Sequence, residues 1–249
     1  VTGNSCALSP FRPVEWNPSV VMVWPDEDAL ARPESSSDGD AGYRRRMSGL
    51  RDDVDIRQVT EWVADARRIV ALTGAGISTD SVGHAALVEW ERAGKLAAIV
   101  TQNIDGLHQR AGNSPDTVIE IHGTLYEAEC LGCADRTGIQ EVLDRVAAGE
   151  DDPACRHCAG ILKTATISFG QSLHGPTLRR AARAVADCDL MLAVGTSLTV
   201  QPAAGLVEIA AESGARVVII NAAPTPYDTI ADAVVREPIG TVLPALVSG

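Results

Sequence analysis

The chain of 249 residues is 45% hydrophobic with a mean hydropathy of +0.05, so it can bury a large core, and one large domain carrying an insertion is the expected organisation. Its formal charge of -12 and pI near 4.8 would repel a phosphate backbone, which argues against nucleic acid as the main partner and favours a small or positively charged one. No apolar run approaches the roughly 20 residues of a membrane span and the amino terminus lacks a basic-then-apolar signal pattern, so a cytoplasmic protein with no membrane attachment is expected.

Residues 1–50 contain Pro10, Pro13, Pro18, Pro25 and Pro33 and a polar run from Glu34 to Asp40, which predicts a disordered or leader-like tail, with Met47 as a candidate start. Organised periodicity belongs to residues 51–249. Ile56, Val59, Trp62, Val63 and Ala66 recur at helical spacing, and Ile69 to Leu72 is a short buried strand running into the glycine turn Thr73-Gly74-Ala75-Gly76-Ile77-Ser78. Such a turn lets backbone amides approach a pyrophosphate, but it is equally a bland tight turn, since the third glycine of the usual dinucleotide fingerprint is missing. A helix over residues 85–93 carries Ala86, Leu87 and Trp90 on one face and ends at Gly94. The strand Ala97 to Val100 then delivers Thr101-Gln102-Asn103-Ile104-Asp105, and a second strand over residues 117–121 delivers His122-Gly123, both at carboxyl ends, where open α/β sheets place ligands.

Further along, Ile139 to Val146 and Leu178 to Val185 read as helices. Asp189 to Val194 is a strand ending in Gly195-Thr196-Ser197-Leu198. Ala203 to Ala210 is a helix that Gly214 closes, and Arg216 to Ile220 is a strand ending in Asn221. Helices alternating with short, non-alternating aliphatic strands predict an α/β, Rossmann-like parallel sheet with helices on both faces.

Cys130/Cys133 and Cys155/Cys158 form two C-x-x-C pairs. Four thiolates close a tetrahedral shell around zinc, so a structural zinc in a small module inserted at about 125–165 is expected, with His157 a surface residue. His122 is the candidate general base, because imidazole titrates near neutrality, and the competing reading is a histidine that caps a strand. Asn103 and Asp105 suit a hydroxyl, a water, an amide or a ribose, and suit a plain turn as well. His108 belongs to a helix's first turn. Gly195, Thr196, Ser197 and Asn221 present hydroxyls and amides to phosphate or ribose. Ser168-Phe169-Gly170 is either a segment along which an extended peptide pairs or a plain loop.

Taken in order, TGAGIS, TQNIDGLHQRAG, a strand-end HG, two CxxC pairs, SFG, GTSLTVQPAAG and INAAPTP resemble the sirtuins, the NAD-dependent protein lysine deacylases, from about Val59 to Val247. The resemblance implies a large NAD-binding domain with an inserted zinc module, and transfer of an acyl group from lysine to ADP-ribose with release of nicotinamide and O-acyl-ADP-ribose. It implies an acyl-lysine protein or peptide as partner. His122 is then the catalytic base, with Asn103 beside it. Gln102, Asn103, Ile104 and Asp105 surround the nicotinamide ribose, Gly74, Ala75, Gly76 and Ser78 approach the pyrophosphate, Gly195, Thr196, Ser197 and Asn221 hold phosphate and ribose, and Ile239 lies near the adenine. Phe169, Gly170 and Val200 flank the acyl-lysine.

One departure stands out. In the family the GAGIS segment continues into Gly-Ile-Pro-Asp-Phe-Arg and a cofactor loop that shields the reactive ribose. Here Thr79-Asp80-Ser81 is followed at once by Val82-Gly83-His84, which matches the helix beyond that region. A chain continuous from Ser81 to Val82 implies a homologue that holds NAD, ADP-ribose or peptide with impaired turnover; a break there implies the complete enzyme.

Overall fold

The structure, a computed structural model, describes residues 56–248. The tail over 1–50 and the start at Met47 lie outside the described residues. Six parallel strands form the main sheet: β1 (Ile69–Thr73), β2 (Leu96–Thr101), β3 (Val118–Glu120), β7 (Leu190–Val194), β8 (Arg216–Ile220) and β9 (Ala233–Val235), in the spatial order β3-β2-β1-β7-β8-β9. Every residue of β1 and β7 is buried, as in a sheet covered on both faces.

The pleat divides those residues between two cores. Ile69 and Ala71 pack with α1 (Ile56–Asp65), α2 (Ser81–Arg92) and α7 (Ile239–Ser248) through Val59, Val63, Leu87, Trp90, Val242 and Leu246. Val70 and Leu72 face the other way, against Ala181 and Val185 of α5 (Gly175–Ala186) and Leu206, Val207 and Ala210 of α6 (Leu206–Glu212). The Rossmann-like reading holds.

Between β3 and α5 the chain builds a second, antiparallel sheet of β4 (Gly123–Cys130), β5 (Arg136–Gly138) and β6 (Leu162–Thr166), in the order β5-β4-β6, with α4 (Ile139–Ala147) beside it. The short helix α3 (Leu107–Ala111) follows the β2 loop. Among the described residues no helix is long and apolar enough to cross a membrane.

Some bounds differ from the sequence expectation. α2 begins at Ser81 instead of residue 85, because the Asp80 carboxylate accepts from the Gly83 N–H at 2.7 Å and caps a first turn that carries no apolar period. Ser81 and Val82 are the first two residues of that helix. α6 starts at Leu206, with Ala203 and Ala204 buried in the preceding turns. β3 stops at Glu120, and Ile121 and His122 leave it as a turn.

Candidate active site

Strand order sets the location. From β1 the chain builds outward through β2 and β3, then returns to place β7 on the other side of β1 and builds outward again. The β1/β7 boundary is therefore the topological switch point, at whose carboxyl-end loops open α/β sheets bind their ligands. Gly74 to Ser78 follow β1, Gly195 to Ser197 follow β7, Gln102 to Asp105 follow β2 and Asn221 follows β8.

Hydrogen bonds tie these loops together. Gly74 N–H donates to Val194 O (3.2 Å), Gly76 N–H to Gly195 O (2.8 Å) and Gly195 N–H to Ile220 O (2.9 Å). Gly195 sits at φ +61, and a Cβ there would stand 2.7 Å from Ile77 N, so two glycine loops pass at a distance no side chain permits. Gln102 Nε2 donates to Thr196 Oγ1 (2.8 Å), buried Asn103 donates through Nδ2 to Gly74 O (3.0 Å), and Ser78 Oγ donates to Asp105 Oδ2 (2.7 Å). Asp105 Oδ1 accepts from Leu107 N–H at 3.1 Å, which opens α3. Among the described residues the N–H groups of Ala75, Thr196 and Ser197 donate to no protein acceptor, and Ala75 and Ser197 are exposed. Free amides, a carboxylate and a buried amide side chain around one crevice suit the phosphates and riboses of a dinucleotide.

His122 stands at the rim, half-buried. Its Nδ1 lies 2.9 Å from Gln102 O, and since a carbonyl only accepts, Nδ1 carries a proton; in the neutral ring Nε2 is then the nitrogen with the lone pair. The imidazole is thus oriented by the loop that carries Asn103. His122 O in turn accepts from Ile167 N–H at 2.9 Å, which fixes the start of the Ser168-Phe169-Gly170 segment. Gly123, at φ +78, makes this possible: a Cβ there would lie 2.0 Å from Ala165 O, where β4 and β6 cross. Phe169 is fully exposed, and Val200, on the loop that leads to α6, is partly so. Asn221 turns inward on its own loop, its Nδ2 donating to Ala223 O (2.8 Å). Ile239 opens α7 and lies against Gly83 of α2.

The four sulfurs of Cys130, Cys133, Cys155 and Cys158 lie within 4.8 Å of one another, with Cys130 and Cys158 at 3.4 Å and Cys133 and Cys155 at 3.7 Å. A tetrahedron of zinc–sulfur bonds about 2.3 Å long has edges close to these distances. Backbone amides, that of Cys133 foremost, pull the Cys130 thiol down to about 6. An amide hydrogen bond from Asp135 favours ionised Cys133, but adjacent sulfurs and burial outweigh it and push that thiol up to about 12. Four such thiols ionise together only around a cation.

Sequence reasoning missed several supports. His108 and His84 are buried under the β1 loop, His108 Nε2 2.9 Å from Thr73 Oγ1 and His84 Nδ1 donating to Asp80 O at 2.7 Å. Arg236 donates to Asn221 O and Ala223 O at 2.8 and 2.6 Å and pairs with Asp228, clamping the β8 loop. Burial raises the Asp228 pKa, but hydrogen bonds from Thr225 and Arg236 outweigh it and hold the carboxyl below its usual range. A lone histidine mid-helix or an arginine beyond a strand gives no motif, and the sequence placed His108 only in the first turn of a helix.

Fold and site together define a class: a doubly wound sheet with glycine and amide loops gathered at its switch point and an inserted four-thiolate module. The chain belongs to the Sir2 family, whose model matches residues 48–202. It is 52% identical over 169 residues to NAD-dependent protein deacetylase 2 of Streptomyces coelicolor, covering 68% of this chain and 70% of that protein. It is 46% identical over 161 residues to the NAD-dependent protein deacetylase of Rhodopseudomonas palustris, covering 65% and 64%. The chain thus spans about two thirds of the length of the curated relatives it matches. Among solved structures it resembles Sir2 bound to acetylated peptide (TM-score 0.72, 28% identity, 78% of this chain and 98% of that one) and a complex of Sir2 with p53 peptide and NAD+ (TM-score 0.71, 28% identity, the same coverage).

Proposed function

We propose that this protein is an NAD-dependent protein lysine deacetylase acting on acyl-lysine proteins or peptides, with His122 as general base and Asn103 beside it. The observation that carries the reading is the orientation of His122: Nδ1 is engaged by Gln102 O at 2.9 Å, which leaves Nε2 as the ring nitrogen free to meet a substrate hydroxyl. Relatives named as NAD-dependent protein deacetylases, and Sir2 structures described with acetylated peptide and NAD+, support it.

Bound NAD supplies the electrophilic ribose carbon and the nicotinamide leaving group. Gly74, Ala75, Gly76 and Ser78, with Gly195, Thr196, Ser197 and Asn221, would hold phosphates and ribose, and Gln102, Ile104 and Asp105 the nicotinamide end, with Ile239 toward the adenine. His122 Nε2 would take the proton of a ribose hydroxyl, and Gln102 O would steady the imidazolium that results. Phe169, Gly170 and Val200 would flank the acyl-lysine. Zinc held by Cys130, Cys133, Cys155 and Cys158 would shape the module without touching the chemistry. The acidic net charge suits a protein partner over nucleic acid, and a cytoplasmic location fits the reading.

The sequence departure after Ser81 is the one ground for a second reading, binding without turnover. One assay separates the two. Incubation with an acetyl-lysine peptide and NAD should release nicotinamide and O-acetyl-ADP-ribose in equal amounts. NAD binding with no nicotinamide release would leave the binding reading alone. The His122→Ala variant should lose at least about 100-fold in kcat while its zinc content is unchanged; near-normal turnover would remove His122 from the mechanism.

A further inference from the structure

A partly open cavity of about 460 Å³ is lined by Thr199 and Gln201, the neighbours of Val200, which the proposed function places beside the acyl-lysine. Leu198, Thr199, Tyr227 and Ile230 contribute to its wall, and Glu208 and Glu212 of α6 line it from one side. These two glutamates are one helical turn apart and so share a face. Both are exposed, and among the described residues neither is ion-paired or hydrogen-bonded through its carboxylate. Tyr227 is only 7% exposed, and its hydroxyl accepts from Gln201 Nε2 at 3.1 Å, so its ring is a fixed wall. Apolar surface below and unpaired carboxylates above match a long cationic side chain, whose methylene stem covers apolar groups while its head stays near water.

We propose that this cavity is a subsite for an arginine or lysine side chain of the substrate, selecting peptides that carry a basic residue a few positions from the acyl-lysine. The inference rests on the deacetylase reading and names the substrate class within it. Position supports it. Thr199 lines the cavity and is adjacent to Val200, and an extended peptide advances about 3.3 Å per residue with alternate side chains on one face, so a residue two places along lies about 7 Å away, within reach of a long side chain. Charge supports it too, since a chain with net charge -12 attracts cationic peptides before contact.

The test uses the full chain and acetyl-lysine peptides with arginine, alanine, glutamate or leucine at each flanking position in turn. It reads kcat/KM by nicotinamide release and peptide affinity by fluorescence anisotropy. Arginine at one position should raise kcat/KM about 5-fold over alanine through KM, as two exposed ion pairs would. The advantage should shrink in about 0.5 M salt. The Glu208→Gln/Glu212→Gln double variant should bring the arginine-to-alanine ratio to about 1, and Glu212→Arg should shift preference toward glutamate. Equal use of arginine and alanine peptides, a preference for leucine, or an arginine advantage that survives the double variant would overturn the subsite. Should no peptide release nicotinamide, the deacetylase reading fails, and the affinity series decides the subsite by the same ratios.

Discussion

His108 and His84 show how a single residue beneath the site sets its conditions. Thr73 and Asp80, the residues they hold, bracket the glycine loop after β1, and the two rings lie 4.7 Å apart between centroids. Burial foremost, and then the charge of His84, push the His108 pKa from its ordinary 6.5 down to about 4, against the opposing pull of Asp105. The folded state therefore refuses a proton that the unfolded chain accepts. Stability from this group is complete above pH 6.5 and is lost as pH falls toward 4, by about 3 kcal/mol in total. Urea unfolding across that range should show the loss, and the His108→Gln variant, weaker at neutral pH, should show a shallower slope; equal slopes would refute the assignment. Gly123 is the second such residue. With Ala165 O 2.0 Å from where its Cβ would stand, Gly123→Ala must push the end of β6 aside and with it the adjoining Ile167, whose N–H bonds His122 O, and we expect a cost of roughly 3 kcal/mol or more, together with a lower kcat. A melting temperature within a degree or so of the parent would contradict that packing.

At the scale of elements, the two sheets are held by different forces, and they differ in how plainly the sequence announces them. β1, β2, β7 and β8 are runs such as Ile69-Val70-Ala71-Leu72 whose residues are nearly all buried, so an unbroken aliphatic run is itself the signal. β4 reads Gly-Thr-Leu-Tyr-Glu-Ala-Glu-Cys, with Leu125 and Tyr126 exposed and no consistent alternation, and α4 carries apolar residues at helical spacing yet buries none of them fully. Neither pattern predicts a sheet, because hydropathy does not record the four-cysteine cluster around which the module is built. A strong chelator should therefore act selectively: zinc falls from one per chain to none, amide exchange accelerates across β4, β5 and β6, and the amides of β1 and β7 stay protected. Loss of protection in both sheets together would mean that the module also supports the main core.

For the molecule as a whole, the site exists because chain segments far apart in sequence meet at one switch point. Each segment was legible alone, since Gly74, Asn103, His122 and Gly195 all stand where a strand ends. Their mutual bonds were not, because Gln102 to Thr196 spans 94 positions and the contact depends on strand order, which no local pattern encodes. Arg236 and His84 were illegible for the same reason, acting only through residues they reach across the fold. That arrangement determines how a ligand affects stability. A dinucleotide bound across the β1/β7 boundary, as proposed, would touch loops from both halves of the main sheet, so its binding energy would report on the whole sheet and not on one lobe. At about 100 times its Kd, NAD should stabilise the folded state by roughly 2.7 kcal/mol and raise the melting temperature by roughly 5–10 °C for a chain of this size. The transition of the main sheet should stay single, with β1 and β8 amides gaining protection in step. A shift confined to one half of the sheet would place the ligand on one side of the boundary, and the absence of any shift at saturating NAD would deny the crevice its ligand.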